Sequence, residues 1–241
     1  MINILRTEIY KLFQSKSFWI IFFISTFIGV TMPLDSHGYI TQYENIGVSF
    51  YNICLLMIFP ILLGVISFGN DFVDRTINNG VCAGHSRLKI FICKVSVYFI
   101  GVNIILLLSP IINLIINNIF NRYTSYNLIS NGNVLVNTFL ITSLLGMAVS
   151  SMSIFIVFIF RDIGKTVGIS AGVYLLSIMF LNTTNDLREN FFKFLPLAQM
   201  RLILYRPIVS NQFEEAVLIG VGAMAFFLII SYLCFKKTEL H

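Results

Sequence analysis

Charge is what this sequence is short of. Only 11% of its 241 residues are Asp, Glu, Lys or Arg, less than half the roughly 25% of an average soluble domain. A chain with so few charges and 57% hydrophobic residues has no means of covering a water-facing surface, so a soluble enzyme or a soluble nucleic-acid-binding domain is excluded. Histidine is scarce as well: His37, His85 and His241 fall in a loop, a polar insert and the C-terminus. No His-x-x-x-His, paired-carboxylate or Cys-x-x-Cys spacing occurs. Intramembrane catalysis and ion-coupled transport place ionisable groups at depth, where they are costly and persist because they work. Their absence from the apolar blocks removes the support for a membrane protease, a metal transporter or a proton antiporter, and no catalytic residue or metal ligand is expected. The four cysteines, Cys54, Cys82, Cys93 and Cys234, lie in or beside apolar blocks and suggest no disulfide framework. Gly164-Lys165-Thr166 has the ending of a phosphate-binding loop, but the earlier glycine of that motif would fall at Ile159. Nucleotide-binding machinery is therefore not expected on this chain.

Long apolar runs are what the sequence has instead, and the mean hydropathy is +0.85. A hydrocarbon core of about 30 Å needs on the order of 20 apolar residues per helix. Six blocks qualify: Phe18 to Leu34, Val48 to Phe68, Val95 to Ile116, Val134 to Phe160, Thr166 to Leu181 and Ala216 to Phe235. They are continuous rather than alternating, which excludes a barrel. The predicted fold is all-α, a single polytopic domain over residues 1–241 with six transmembrane helices. An amphipathic stretch precedes the first block and no small-residue cleavage site follows it before Asp35, so that block is expected in the mature fold rather than in a removed signal peptide.

Lys and Arg in the connections set the orientation. With both termini cytoplasmic, the inner side carries Arg6, Lys11, Lys16, Arg75, Arg87, Lys89, Lys94, Arg161, Lys165, Lys236 and Lys237. The outer side carries Arg122, Arg188, Lys193, Arg201 and Arg206. The excess on the first side predicts both ends inside. The net charge of +5 flanks the spans and suits anionic headgroups better than nucleic acid.

Residues 1–17 read as a helix in the inner interface: Ile2, Leu5, Ile9, Leu12 and Phe13 recur at helical spacing, opposite Asn3, Arg6, Lys11 and Gln14. It serves either as an anchor for the first span or as an elbow packed on a partner. Pro60 and Pro110 fall inside the second and third spans, where a missing backbone donor favours a bend. Gly164, Gly168 and Gly172 form a clean four-residue ladder, a helix contact within the subunit or between subunits. Ala216 and Gly220 begin a similar series that Met224 interrupts. Residues 182–215 are too long and too apolar for a turn, yet their longest uncharged run, Phe194 to Met200, is too short to span. A re-entrant or interfacial hairpin on the outer face is predicted there.

One dense polar insert, residues 69–94, breaks the apolar pattern. Asn70 is placed to cap a short helix with Asp71 and Asp74 in its first turn, and Asp71 to pair with Arg75 at i, i+4. Gly80 and Gly84 are expected to interrupt that helix. Arg87, Lys89 and Lys94 then lead back to the interface.

The insert resembles the first cytoplasmic loop of ABC-2 type permeases, the membrane subunits of type V ABC exporters. An acidic residue, a Thr and a Gly-x-x-Arg-x-x-x-x-x-x-Lys stretch recur there, matched by Asp71, Thr76, Gly84, Arg87 and Lys94. Glu8 and Lys11 match the family's Glu-x-x-Lys leader. The resemblance implies that Asp71, Asp74, Arg75, Thr76, Gly84, Arg87 and Lys94 form a coupling segment docked on a cytoplasmic ATPase, with Glu8 and Lys11 on the elbow helix. It also implies two ATPase subunits carrying the ATP and Mg2+, a second permease copy or paralogue, and a bacterial cytoplasmic membrane. The small single-domain form is most similar to the subfamily serving antimicrobial-peptide immunity, bacitracin resistance and export of amphipathic peptides such as phenol-soluble modulins. Candidate pathway residues are Phe50, Tyr51, Asn52, Tyr174 and Phe180, with lipid-facing or core packing as the alternative for each. An ATP-independent channel or secondary carrier, and an ATPase-binding sensor or scaffold, are the rival functions.

Overall fold

A computed structural model describes residues 2–31, 50, 53–74, 76–119, 132–183, 191–205 and 210–236. The expected Asp71–Arg75 pair, and the candidates Tyr51 and Asn52, lie outside the described residues, as do Asp35 and His37. Every described element is helical, in the order α1 (Ile2–Gln14), α2 (Lys16–Thr31), α3 (Ile53–Leu56), α4 (Ile58–Val73), α5 (Thr76–Cys82), α6 (Arg87–Ile119), α7 (Gly132–Phe160), α8 (Ile163–Thr183), a 3-10 turn (Phe191–Phe194), α9 (Pro196–Tyr205) and α10 (Ser210–Lys236). Five described stretches are long and apolar enough to cross a membrane, and α1 with α2 adds a sixth if that pair, bent by 60°, is one span. The protein is an all-α polytopic membrane protein.

The bend joins an amphipathic helix, α1, to one that is apolar on all its faces, α2. Leu5, Ile9 and Leu12 pack against the core, whereas Ile2 and Tyr10 stay exposed. Ser15 closes α1 by donating its N–H to the carbonyls of Lys11 and Leu12 at 3.0 and 3.2 Å. The indole N–H of Trp19 then reaches back 2.8 Å to the carbonyl of Phe13, bracing the corner. Phe13 and Phe18 meet edge to face at 5.6 Å.

Among the described residues the second span covers Ile53–Val73 and so extends past the expected end at Phe68. Its helix continues through Asn70 and Asp71, and Asp74 is its C-cap, donating 2.8 Å to the carbonyl of Asn70. The expected N-cap at Asn70 is therefore wrong: Asp71 and Asp74 belong to the end of one helix, and the next begins only at Thr76. Phe72, which packs against the core, and a partner for the Asp71 carboxylate, described below, allow this extension. The span breaks at Met57, between α3 and α4. Pro60 lacks the N–H that would bond the carbonyl of Leu56, which accounts for the break at that turn. By contrast, α6 continues without interruption through Pro110.

Helix α7 is the centre of the bundle, packed on α4, α6, α8, α9 and, most extensively, α10. Buried hydrophobics form two clusters. One, near the end bearing α5, gathers Phe68, Phe91, Tyr98, Phe158 and Phe235. The other gathers Phe50, Ile53, Met57, Tyr174, Leu197 and Met200 beneath α9. Helix α9 has ten residues, about 15 Å of rise, and lies against α7, α10 and α3 instead of crossing.

The two glycine series behave opposite to their appearance. A Cβ at Gly168 or Gly172 would meet nothing within 4 Å, so the clean ladder makes no close contact among the described residues. The interrupted series does: Ala216 is fully buried, and a Cβ at Gly220 would strike Leu144. Close approach is set by where α10 lies on α7, and sequence regularity does not report it.

Candidate functional site

Three elements converge at one end of the bundle: α1, the last turn of α4 and the first turns of α6. Glu8 lies on α1, Asp71 on α4 and Lys94 on α6. The Lys94 side chain is 6% exposed, and its ammonium lies 3.2 Å from Glu8 Oε2 and against Asp71 Oδ2. Thr76, the first residue of α5, donates its hydroxyl to Asp71 Oδ1. Lys11 contacts the other oxygen of Glu8 at 3.3 Å. Two carboxylates thus face two ammoniums. A buried ammonium needs such compensation, because leaving one charge of a buried pair alone costs about 3–5 kcal/mol. Beside the junction a cavity of about 230 Å3 is lined by these residues together with Ser67, Asn70 and Asp74.

The short helix α5 is stopped by backbone geometry. Gly84 has φ +83°, a conformation L side chains rarely adopt. Its N–H bonds the carbonyl of Val81 at 3.0 Å, and that of His85 bonds Gly80 at 3.4 Å. This paired closure is a Schellman motif with Gly84 at its left-handed position. Gly80, in contrast, does not interrupt α5. It sits inside the helix, where a Cβ would come 3.1 Å from Ile90 Cδ1, so its role is close approach to α6.

Of the sequence candidates, Glu8, Lys11, Asp71, Thr76 and Lys94 are brought into one contact set, and Asp74 and Gly84 flank it. Arg87 points elsewhere, donating 2.8 Å from Nη1 to the carbonyl of Lys236 at the end of α10. Arg75 lies outside the described residues. Of the described pathway candidates, Phe50 and Tyr174 belong to one buried cluster and Phe180 is outside it. Phe50 is fully buried, its ring 4.8 Å from that of Phe139. Tyr174 is buried with its hydroxyl on the carbonyls of Cys54 and Leu55, the latter at 3.0 Å, so it serves the carbonyls beside the break in the second span. Phe180 is half exposed on α8.

Sequence reasoning missed Tyr98. It is buried between α4 and α7, with its hydroxyl 2.9 Å from the Pro60 carbonyl and 3.1 Å from Ser153 Oγ. Asn113, which donates 2.9 Å to the Gly29 carbonyl, was missed as well. The signal was present in both cases: a polar atom in an uncharged span must find a partner.

The model of the family described as ABC-2 family transporter protein matches residues 4–177. That stretch contains Glu8, Lys11, Asp71, Thr76 and Lys94. The chain belongs to the ABC-2 transporter family. As an ABC-2 family transporter protein it is a membrane component of a transporter. No curated relative matches the chain.

Proposed function

We propose that this ABC-2 family protein is the permease subunit of an ABC exporter, driven by a separate ATPase that docks at the end of the bundle bearing α5. The observation that carries this reading is the convergence of Glu8, Lys11, Asp71, Thr76 and Lys94 from α1, α4, α5 and α6. Displacement of α5 would reach α4 and α1 together, because Asp71 holds both Thr76 and Lys94 while Lys94 also holds Glu8. Asp74, exposed at the tip of α4, and Gly84, which ends α5, complete the docking segment. Both termini are then cytoplasmic, in a bacterial plasma membrane, and α9 with its 3-10 turn lies on the outer side.

The working unit we infer holds two ATPases, which bind ATP and Mg2+, and two permeases. The second copy or paralogue would pack on α8, whose Gly168 and Gly172 are open and whose Leu175, Leu176 and Met179 are exposed in the single chain. An amphipathic peptide, of the phenol-soluble-modulin, lantibiotic or bacitracin type, is the substrate class we favour. A cavity of about 80 Å3 between α7, α8 and α9 presents Ser153, Ser170, Tyr174 and Ser177 among apolar groups. At this volume the cavity does not hold a peptide, so the substrate class rests on the subfamily resemblance of the sequence.

Purification of the tagged chain from native membranes, with identification of any ATP-binding subunit that co-purifies, tests the reading. ATP-dependent export of a fluorescein-labelled amphipathic peptide from reconstituted vesicles is expected, and Asp74→Lys should reduce both ATPase retention and export. Export that proceeds without ATP or the second subunit would refute it.

A further inference from the structure

The start of α6 is fastened to the end of α10. Arg87, the first residue of α6, donates Nη1 to the carbonyl of Lys236, the last residue of α10, at 2.8 Å. Carbonyls in a helix's last turn lack intrahelical partners and carry its negative pole, so a guanidinium there both satisfies and holds the helix end. One turn further along α6, the ring of Phe91 lies 5.6 Å from Tyr232 and 6.2 Å from Phe235, both on α10. Phe158 of α7 joins them, 5.6 Å from Phe91 and 5.5 Å from Phe235.

On the other side, Arg87 follows α5 closely. The Schellman closure at Gly84 and His85 fixes how α5 ends, and Ser86 accepts the first helical bond of α6 from Ile90 at 3.2 Å. A movement of α5 is therefore delivered to Arg87 with little slack. Among the described residues the start of α8 packs elsewhere: its first residue, Ile163, faces Gly69 of α4, and its buried stripe of Thr166, Ser170 and Tyr174 runs along the bundle.

We propose that Arg87 is a positioning residue that carries displacement of α5 to the last membrane helix, α10, rather than a contact with the ATPase. The proposal rests on α5 being the coupling helix. It adds the end of α10 to the unit of α5, the first turns of α6, the end of α4 and α1 that the Asp71–Lys94–Glu8 contacts hold together, and that unit shifts relative to the far end of α8, where Met179 lies.

Spin-label distances in the complex with its ATPase test this. Labels are placed in pairs at Cys82 on α5, at Leu233→Cys on α10 and at Met179→Cys on α8, all exposed. Cys54 and Cys234 are replaced by Ala, and helicity is checked by circular dichroism. On trapping the ATPase with ATP and vanadate, the 82–179 and 233–179 distances should change together while 82–233 stays constant. In Arg87→Gln the 233–179 change should be lost and the 82–179 change kept, and Arg87→Lys, which retains a cationic donor, should restore both. A 233–179 distance that never responds, or an Arg87→Gln protein that behaves as wild type, overturns the proposal and leaves the coupling reading intact. If 82–179 does not respond in the wild type, both fall.

Discussion

Lys94 and Glu8 are 86 residues apart in the chain and 3.2 Å apart in space. Their contact ties the amphipathic helix α1 to the first turns of α6, and Asp71 ties both to the end of α4. The amphipathic helix α1 is thereby made part of the same unit as two helices long and apolar enough to span a membrane.

Removing the ammonium should leave Glu8 and Asp71 without their shared buried partner. Lys94→Met is expected to lower stability by about 3 kcal/mol, the range for breaking a buried pair from one side. Thermal unfolding in detergent, followed by size-exclusion fluorescence, reads the effect. Glu8→Gln combined with Lys94→Gln should be less damaging than the sum of the single changes, because neighbouring members of one network do not add.

At Gly84 the penalty is conformational. The side chain of Gly84→Ala meets nothing within 4 Å, so any loss comes from φ +83°, at about 1–2 kcal/mol. Gly84→Asn should be tolerated better, since Asn visits that region more readily. Faster amide exchange in α5 of the Ala variant, with the rest of the bundle unchanged, is the expected signature.

Tyr174→Phe removes the donor that serves the carbonyls of Cys54 and Leu55 beside the break in the second span. Hydrogen bonds between membrane helices average about 0.6 kcal/mol and reach about 1.7. A small drop in melting temperature is expected, and Tyr98→Phe should behave alike at the Pro60 carbonyl.

Gly64 and Gly168 separate packing inside the chain from packing between chains. A Cβ at Gly64 would fall 2.5 Å from both Ser153 Oγ and the Tyr98 hydroxyl, so Gly64→Ala should destabilise by about 1–3 kcal/mol. Gly168→Leu has open space in the single chain and should fold normally. If a second copy covers α8, the same change should weaken chemical cross-linking of the pair. Unaltered cross-linking would remove α8 from that interface.

The apolar blocks and their lengths determined the class of this protein by themselves, because a bilayer constrains every residue of a spanning helix in the same way and the constraint is visible one segment at a time. The leader and the polar insert were equally legible, since amphipathic spacing and a cluster of charge are local patterns. Helix ends were not. Whether Asn70 began a helix or extended one depended on Lys94 being within reach of Asp71, and that distance is a property of three helices together. The same holds for glycine: the regular series at Gly164, Gly168 and Gly172 makes no close contact within the described chain, while Gly220 is pressed against α7, because crossing geometry rather than spacing decides which small residue is approached. Arg87 completes the contrast. Its spacing from Gly84 and Lys94 could be read from the sequence, but its partner, a backbone carbonyl at the end of α10, became visible only when folding brought the two helix ends together.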